Sequence, residues 1–310
     1  MTPQEDQQHT SCVNHEHAAH GHSGHGSHDH GQGLAEMLDL DALLLGSYLE
    51  EAAEWAAGIA QTAPRTILDV GAGTGAGTVA LARRFRNASV TALDRSAAML
   101  AATRAAAAAE GFTDRVHTLE ADLDGPWPES ATADLMWASS SLHEVSSPER
   151  TIGGMYAALN PGGLLVVLEM DSLPSFLPAD GTDSHTAELG LESRLHAAMA
   201  HQGWNAHPDW RGELERAGFH RVEQRSFNTM GRPLPEPTAR YAANFLGRIR
   251  TALAGDGAPA THDTSPGAAL RAQDLAALDA LLSGTGPSSL LHRTDLQVRG
   301  RRTAWAAFKA

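Results

Sequence analysis

The segment richest in potential chemistry is Asp69-Val-Gly71-Ala72-Gly73-Thr-Gly75, which follows a short apolar run and precedes a helix-forming stretch. Glycines at this spacing let the backbone turn tightly and approach a bound molecule, because no Cβ intrudes. The start of the following helix offers unpaired N–H groups and partial positive charge. Such a loop can hold a pyrophosphate or an amino-acid carboxylate, and Gly71, Gly73 and Ala76 also fit a dinucleotide fingerprint with alanine in its third place. Three carboxylates bear on the choice. Asp69, two residues before the first glycine, suits a ligand carrying an ammonium group. Asp94 ends the next apolar run, where it can accept from two ribose hydroxyls. Asp122 follows a third run, placed to accept from an exocyclic amine such as that of adenine; an acid there is no part of the dinucleotide fingerprint. After a fourth run come Ser139-Ser-Ser-Leu-His143-Glu144. There, His143 or Glu144 is a candidate to take a proton from a substrate nucleophile or to orient it, the alternative being a cap on the next helix.

The elements that must position these residues are legible as an alternation. Apolar runs predict strands at Thr66–Val70, 88–94, 115–119, 133–138 and 163–169. A helix through Phe85 follows the glycine loop. Ser96 predicts the N-cap of an Ala-rich helix stopped by Gly111, and residues 148–159 predict a helix ended by Asn160-Pro161-Gly162. Strands and helices in turn imply an α/β, doubly wound, mostly parallel sheet, with ligands at its carboxyl edge. Leu38, Leu40, Leu43, Leu44, Tyr48, Ala52 and Trp55 give residues 34–61 one apolar helical face. Further on, residues 209–217 predict a helix, 219–227 a strand, 238–282 helices and 296–308 a final strand. No internal repeat is present.

Composition bounds the rest. The 310 residues carry 23 basic and 37 acidic side chains, a net charge of −14. That balance argues against nucleic acid as the main partner, since such binding rests on phosphate neutralisation, and against a basic membrane-gripping face. No run approaches the roughly 18 apolar residues of a membrane span. Cys12 is the single cysteine, which excludes an internal disulfide framework, and with no basic-then-apolar leader in view the expected location is cytoplasmic. Residues 1–33 hold His9, His15, His17, His20, His22, His25, His28 and His30 among Gly, Ser and Asp. This segment is too poor in apolar side chains to bury a core and is read as a disordered tail able to bind divalent metals weakly. The remainder offers no metal-ligand cluster, so a metal-dependent reaction is not expected. The expected organisation is a tail over 1–33, a helical cover over 34–61, a ligand-binding core over 62–171, and acceptor-side helices with the last two strands over 172–310.

The ordered series LDVGAGTG, TALDRS, EADLDG, DLMWASSSLHEV and LNPGGLLVVLEM, from about Thr66 to Met170, resembles the class I S-adenosylmethionine-dependent methyltransferases. With SYLEEAAEWA before the loop and DLQVRGRRTAWAAF at the end, the chain looks like a group of actinobacterial small-molecule methyltransferases. The resemblance implies a Rossmann-like sheet of seven strands with the last antiparallel, and S-adenosyl-L-methionine as cofactor. It implies that Gly71, Ala72 and Gly73 pack against the methionine and ribose, with Asp69 near the ammonium and Asp94 on the ribose hydroxyls. By the same resemblance Arg95 and Met99 flank the adenine, Asp122 and Leu123 meet its edge, and Ser139 lines the methionine end. The family often carries two adjacent histidines where this chain has His143 and then Glu144, a departure from the family's pattern at the second position. Trp204, Trp210, Tyr241 and Phe245 are candidate linings of the acceptor pocket, or else core. Nothing resembles the Asn-Pro-Pro-Tyr run associated with methylation of base amines, so a small-molecule acceptor is expected. The alternatives are an NAD(P)-dependent oxidoreductase using the same loop, and a metal-sequestering protein with a silent domain.

Overall fold

Successive side chains of a strand point to opposite faces, so a strand apolar at every position needs cover on both sides. Residues 164–168, Leu-Leu-Val-Val-Leu, are such a run, and all five are buried. In the computed structural model, which describes residues 27–178, 190–204, 209–255 and 270–310, that run lies inside a seven-stranded sheet. In chain order the elements are α1 (Ser27–Leu45), α2 (Ser47–Ile59), β1 (Thr66–Val70), α3 (Ala76–Arg84), β2 (Ser89–Asp94) and α4 (Ala97–Ala109). β3 (Val116–Glu120), β4 (Ala133–Ser139), α5 (Pro148–Ala158), β5 (Leu159–Met170), α6 (Leu191–His201) and α7 (Arg211–Arg216) follow. The chain closes with β6 (Arg221–Met230), α8 (Pro235–Gly255), α9 (Ala272–Leu282) and β7 (Arg299–Phe308). The spatial order is β3-β2-β1-β4-β5-β7-β6, with β7 antiparallel to both of its neighbours and the other pairings parallel.

Each face of the sheet has its own apolar layer. Ile67, Val90, Trp137, Val166, Leu168 and Ala304 face the helices of the cover, α1, α2, α6, α8 and α9. Leu68, Val70, Met136, Leu165, Val167 and Trp305 face α5 and α7.

Three expectations are corrected or refined. Ser27 to Gly33, read as part of a disordered tail, are the first turns of α1, while residues 1–26 lie outside the described residues. The helical region expected over 34–61 consists of two helices that meet at Gly46, where a Cβ would stand 2.2 Å from the Ala42 carbonyl oxygen. β5 begins at Leu159, because Asn160-Pro161-Gly162 not only ends α5 but forms an irregularity in the strand, with the register against β4 shifting between Ala133 and Leu135. Such a bulge accommodates a proline that a regular ladder would reject.

Candidate functional site

The glycine loop is built by its surroundings. Gly71 has φ +74°, and a Cβ on it would lie 2.4 Å from Ser141 Cβ, so glycine is required both by conformation and by space. Gly71 and Ala72 N–H both donate to the Leu93 carbonyl, at 2.8 and 3.0 Å. Gly73 N–H donates to Asp94 Oδ2 at 3.0 Å, and Ser96 N–H to Asp94 Oδ1 at 2.8 Å. Thus Asp94 clamps the loop to the end of β2 and keeps further lone pairs on each oxygen for a ligand. Thr103 Oγ1, on α4, donates to the Gly73 carbonyl at 2.9 Å, a tie that sequence reasoning missed. Ser96 caps α4 as expected, accepting from Met99 N–H at 3.3 Å.

Asp69 is buried below the loop, with Thr78 Oγ1 donating to its Oδ2 at 2.6 Å. Burial pushes its pKa up to about 7, against the Thr78 hydrogen bond and with help from the Asp94 charge. A carboxyl held in this way would gain from a cationic partner such as the ammonium of an amino-acid moiety.

The loop after β4 is equally constrained. Ser140 takes φ +52°, the one non-glycine with positive φ among the described residues, and Ser141 Oγ donates to the Val70 carbonyl at 2.7 Å. His143 bridges two carboxylates: Nδ1–H donates to Glu169 Oε2 at 2.9 Å, and Nε2 lies 3.4 Å from Glu144 Oε1. Burial opposes the charge on His143, but hydrogen bonds and charges from Glu144 and Glu169 outweigh it and push its pKa up to about 10. At neutral pH both ring nitrogens therefore carry protons. Glu144 is held below its usual range mainly by the His143 hydrogen bond, so it is ionised. Glu169, on β5, also accepts from Leu142 N–H at 3.2 Å and was not singled out from the sequence.

Asp69, Gly71, Ala72, Gly73, Asp94, Arg95, Met99, Asp122, Leu123, Ser139, His143 and Glu144 all line one cavity of about 710 Å³ along the carboxyl edge of the sheet. Its other end, beyond β5, is walled by Leu173, Trp204, Tyr241 and Phe245. Trp210 is not among them; it is fully buried in the layer on the opposite face, packed with α5 and α7. At that far end sequence reasoning missed a polar group. Asp41 Oδ1 accepts from Tyr241 Oη at 2.7 Å and from Arg302 Nη2 at 2.9 Å, while its Oδ2 accepts from Tyr48 Oη at 3.2 Å. The Arg302 guanidinium also sits 5.3 Å from the Tyr48 ring centroid, a cation–π arrangement.

Comparison with known proteins fits this geometry. Residues 67–163 match the family model described as a methyltransferase domain. That match spans β1 to β5, the part of the sheet that carries the glycine loop and the loop after β4. Over 157 residues it is 30% identical to the malonyl-[acyl-carrier protein] O-methyltransferase of Methylovorus sp., covering 48% of this chain and 53% of the relative. Over 142 residues it is 34% identical to the trans-aconitate 2-methyltransferase of Delftia acidovorans, covering 44% and 51%. The demethylmenaquinone methyltransferase of Thermus thermophilus is 37% identical over 115 residues, covering 37% and 51%. The chain thus spans about half the length of the curated relatives it matches. A solved methyltransferase candidate from Bacillus halodurans C-125 shares the fold, with TM-score 0.50 and 16% identity over 84% of this chain and 99% of that one.

Proposed function

We propose that the protein is an S-adenosylmethionine-dependent methyltransferase acting on a small molecule. The observation that carries this reading is the single cavity that joins the glycine loop, Asp69 and Asp94 at one end to an aromatic-walled space at the other. When bound, S-adenosylmethionine supplies a methyl group made electrophilic by its sulfonium. On the protein's side, Gly71, Ala72 and Gly73 pack against the methionine and ribose, Asp69 faces the ammonium and Asp94 accepts from the ribose hydroxyls. Arg95 and Met99 flank the adenine, Asp122 and Leu123 meet its edge, and Ser139 lines the methionine end. Catalysis then rests largely on holding two reactants in line and keeping water out.

Of the two roles open to His143, orientation is favoured over proton acceptance. As an imidazolium donating to Glu169 and Glu144 it has no free lone pair, and it fixes the loop that ends in Glu144. Glu144, ionised and lining the cavity, is the group that orients a nucleophile or takes its proton. The three relatives are named for three different acceptors, so none of those acceptors transfers to this chain. The net charge of −14 supports a partner other than nucleic acid, and the single cysteine fits a reducing, cytoplasmic setting. Among the described residues no helix is long and apolar enough to cross a membrane, and no group of His, Cys, Asp or Glu could hold a metal ion. The histidines of residues 1–26 would bind divalent metals weakly and apart from catalysis; deleting that stretch should leave turnover unchanged in a methyl-transfer assay. The reading itself is tested by incubating the protein with methyl-labelled S-adenosylmethionine and a metabolite panel: label moves to at least one small acceptor, and transfer to none with an intact cofactor site would refute it.

A further inference from the structure

Ser139, Ser140 and Ser141 all line the cavity, three residues in succession. A regular strand turns successive side chains to opposite faces, so the backbone must leave extended geometry to bring all three to one space. It does so at Ser140, whose φ of +52° makes it the one non-glycine in the left-handed region among the described residues. There a Cβ crowds the following carbonyl oxygen, so glycine is the easiest occupant, with asparagine and aspartate next. A serine in that position is a local strain, and outliers of this kind gather where a side chain is held ready for use.

The neighbours fix the turn from both sides and leave one group over. Ser139 closes β4 opposite Leu168 of β5, and Ser140 N–H donates to the Leu168 carbonyl at 2.8 Å. Ser141 is taken up by structure: its Oγ donates to the Val70 carbonyl at 2.7 Å, and its Cβ fills the space that Gly71 leaves open. Glu144 N–H donates to the Ser141 carbonyl at 3.2 Å, which ties the loop that carries the Glu144 carboxylate to this turn. Ser140 Oγ, by contrast, has no hydrogen-bond partner among the described residues, and the residue is half-buried. β4 stands between β1, which leads into the glycine loop, and β5, which leads to Met170 and Leu173 at the other end of the cavity. The free hydroxyl therefore sits on the loop between the two halves, where a donated methyl group would meet its acceptor.

We propose that Ser140 is a further catalytic residue, whose hydroxyl hydrogen-bonds the nucleophilic atom of the acceptor and holds it in line with the methyl group. Ser140 forms no covalent bond. The carbon–sulfur bond breaks as the bond from the nucleophile to that carbon forms, and a proton carried by the nucleophile leaves to Glu144. The inference rests on the methyl-transfer reading above. The test uses the full chain with methyl-labelled S-adenosylmethionine and each panel metabolite that the wild-type protein labels, with S-adenosylhomocysteine affinity and melting temperature measured alongside. Two variants remove the hydroxyl and treat the backbone oppositely, since S140A keeps the Cβ and S140G drops it. Both lower kcat at least tenfold, while KM for S-adenosylmethionine and affinity for S-adenosylhomocysteine stay within threefold of wild type and neither variant melts lower. Wild-type kcat in S140A, or a fall confined to S140G, would overturn the assignment, because the hydroxyl would then be dispensable. A tenfold loss of S-adenosylhomocysteine affinity in both variants, or lowered melting in both, would also overturn it and make Ser140 part of the cofactor site or of the fold. A wild-type protein that labels no acceptor would overturn the methyl-transfer reading and this assignment with it.

Discussion

The two halves of the cavity are built on different principles. The half proposed to hold the cofactor is built locally: the N–H groups of Gly71, Ala72, Gly73 and Ser96 are tied to Leu93 and Asp94 within a stretch of about 25 residues. The half proposed to take the acceptor is made of side chains from distant elements: Asp41 of α1 meets Tyr241 of α8 and Arg302 of β7 across separations of 200 and 261 residues. A site of the first kind tolerates little change and serves one ligand class. A site of the second kind can be rebuilt by exchanging a few side chains without disturbing the first. This is consistent with relatives that each align over less than half of the chain and carry names for different acceptors.

Substitutions in the two halves should therefore part in what they disrupt. The largest effect is expected for Gly71→Ala, which combines a left-handed φ with a Cβ 2.4 Å from Ser141 Cβ; unfolding in denaturant should show a loss of about 4 kcal/mol together with loss of S-adenosylhomocysteine binding. Gly111→Ala, also at positive φ but with open space around it, should cost only about 1 kcal/mol; equal costs would mean that crowding against Ser141 is unimportant. Asp41→Asn removes one partner of a buried pair and should destabilise the fold by about 3 kcal/mol, with cofactor affinity preserved in the protein that remains folded. If that variant lost cofactor binding in step with stability, the two halves would not be separable. Asp94→Ala should do the reverse, weakening S-adenosylhomocysteine binding at least tenfold, about 1.4 kcal/mol, with a smaller change in melting temperature.

The gentlest perturbation is pH. Burial raises the Asp69 pKa to about 7, so below that value the carboxyl carries a proton that an ammonium-bearing ligand must displace. Affinity for S-adenosylhomocysteine should be about tenfold weaker at pH 6 than at pH 8, and a flat profile would remove Asp69 from the ammonium site. The sign for stability is opposite to that of a salt-bridged carboxylate. The folded chain holds this proton between about pH 4 and 7 where the unfolded chain has lost it, so the group's contribution to stability falls as pH rises through that window. His143, with its pKa pushed up to about 10, stays charged throughout and does not distort the profile.

The same contrast explains what could be read from the amino-acid sequence. β1 falls where its apolar run predicts, because it is short, buried on both faces and bounded by the turn residues of the glycine loop. Asp94 and Asp122 are recognisable because strand ends position them, and strand ends are visible locally. The Asp41–Arg302 pair has no local signature: Asp41 lies in an acid-and-leucine run and Arg302 in a basic run, and only the antiparallel seating of β7 beside β5 makes them neighbours of α1. Trp210 misled for a related reason. Its type fits a pocket wall or a core, and which face of the sheet it covers is decided by the short α7 turn, not by its own neighbours in sequence.

Calorimetric titration of the full chain with S-adenosylhomocysteine, and in parallel with NAD, tests the central claim most directly. The account predicts saturable one-site binding of S-adenosylhomocysteine and no heat from NAD. A folded protein that binds NAD, or that leaves S-adenosylhomocysteine unbound, would contradict it.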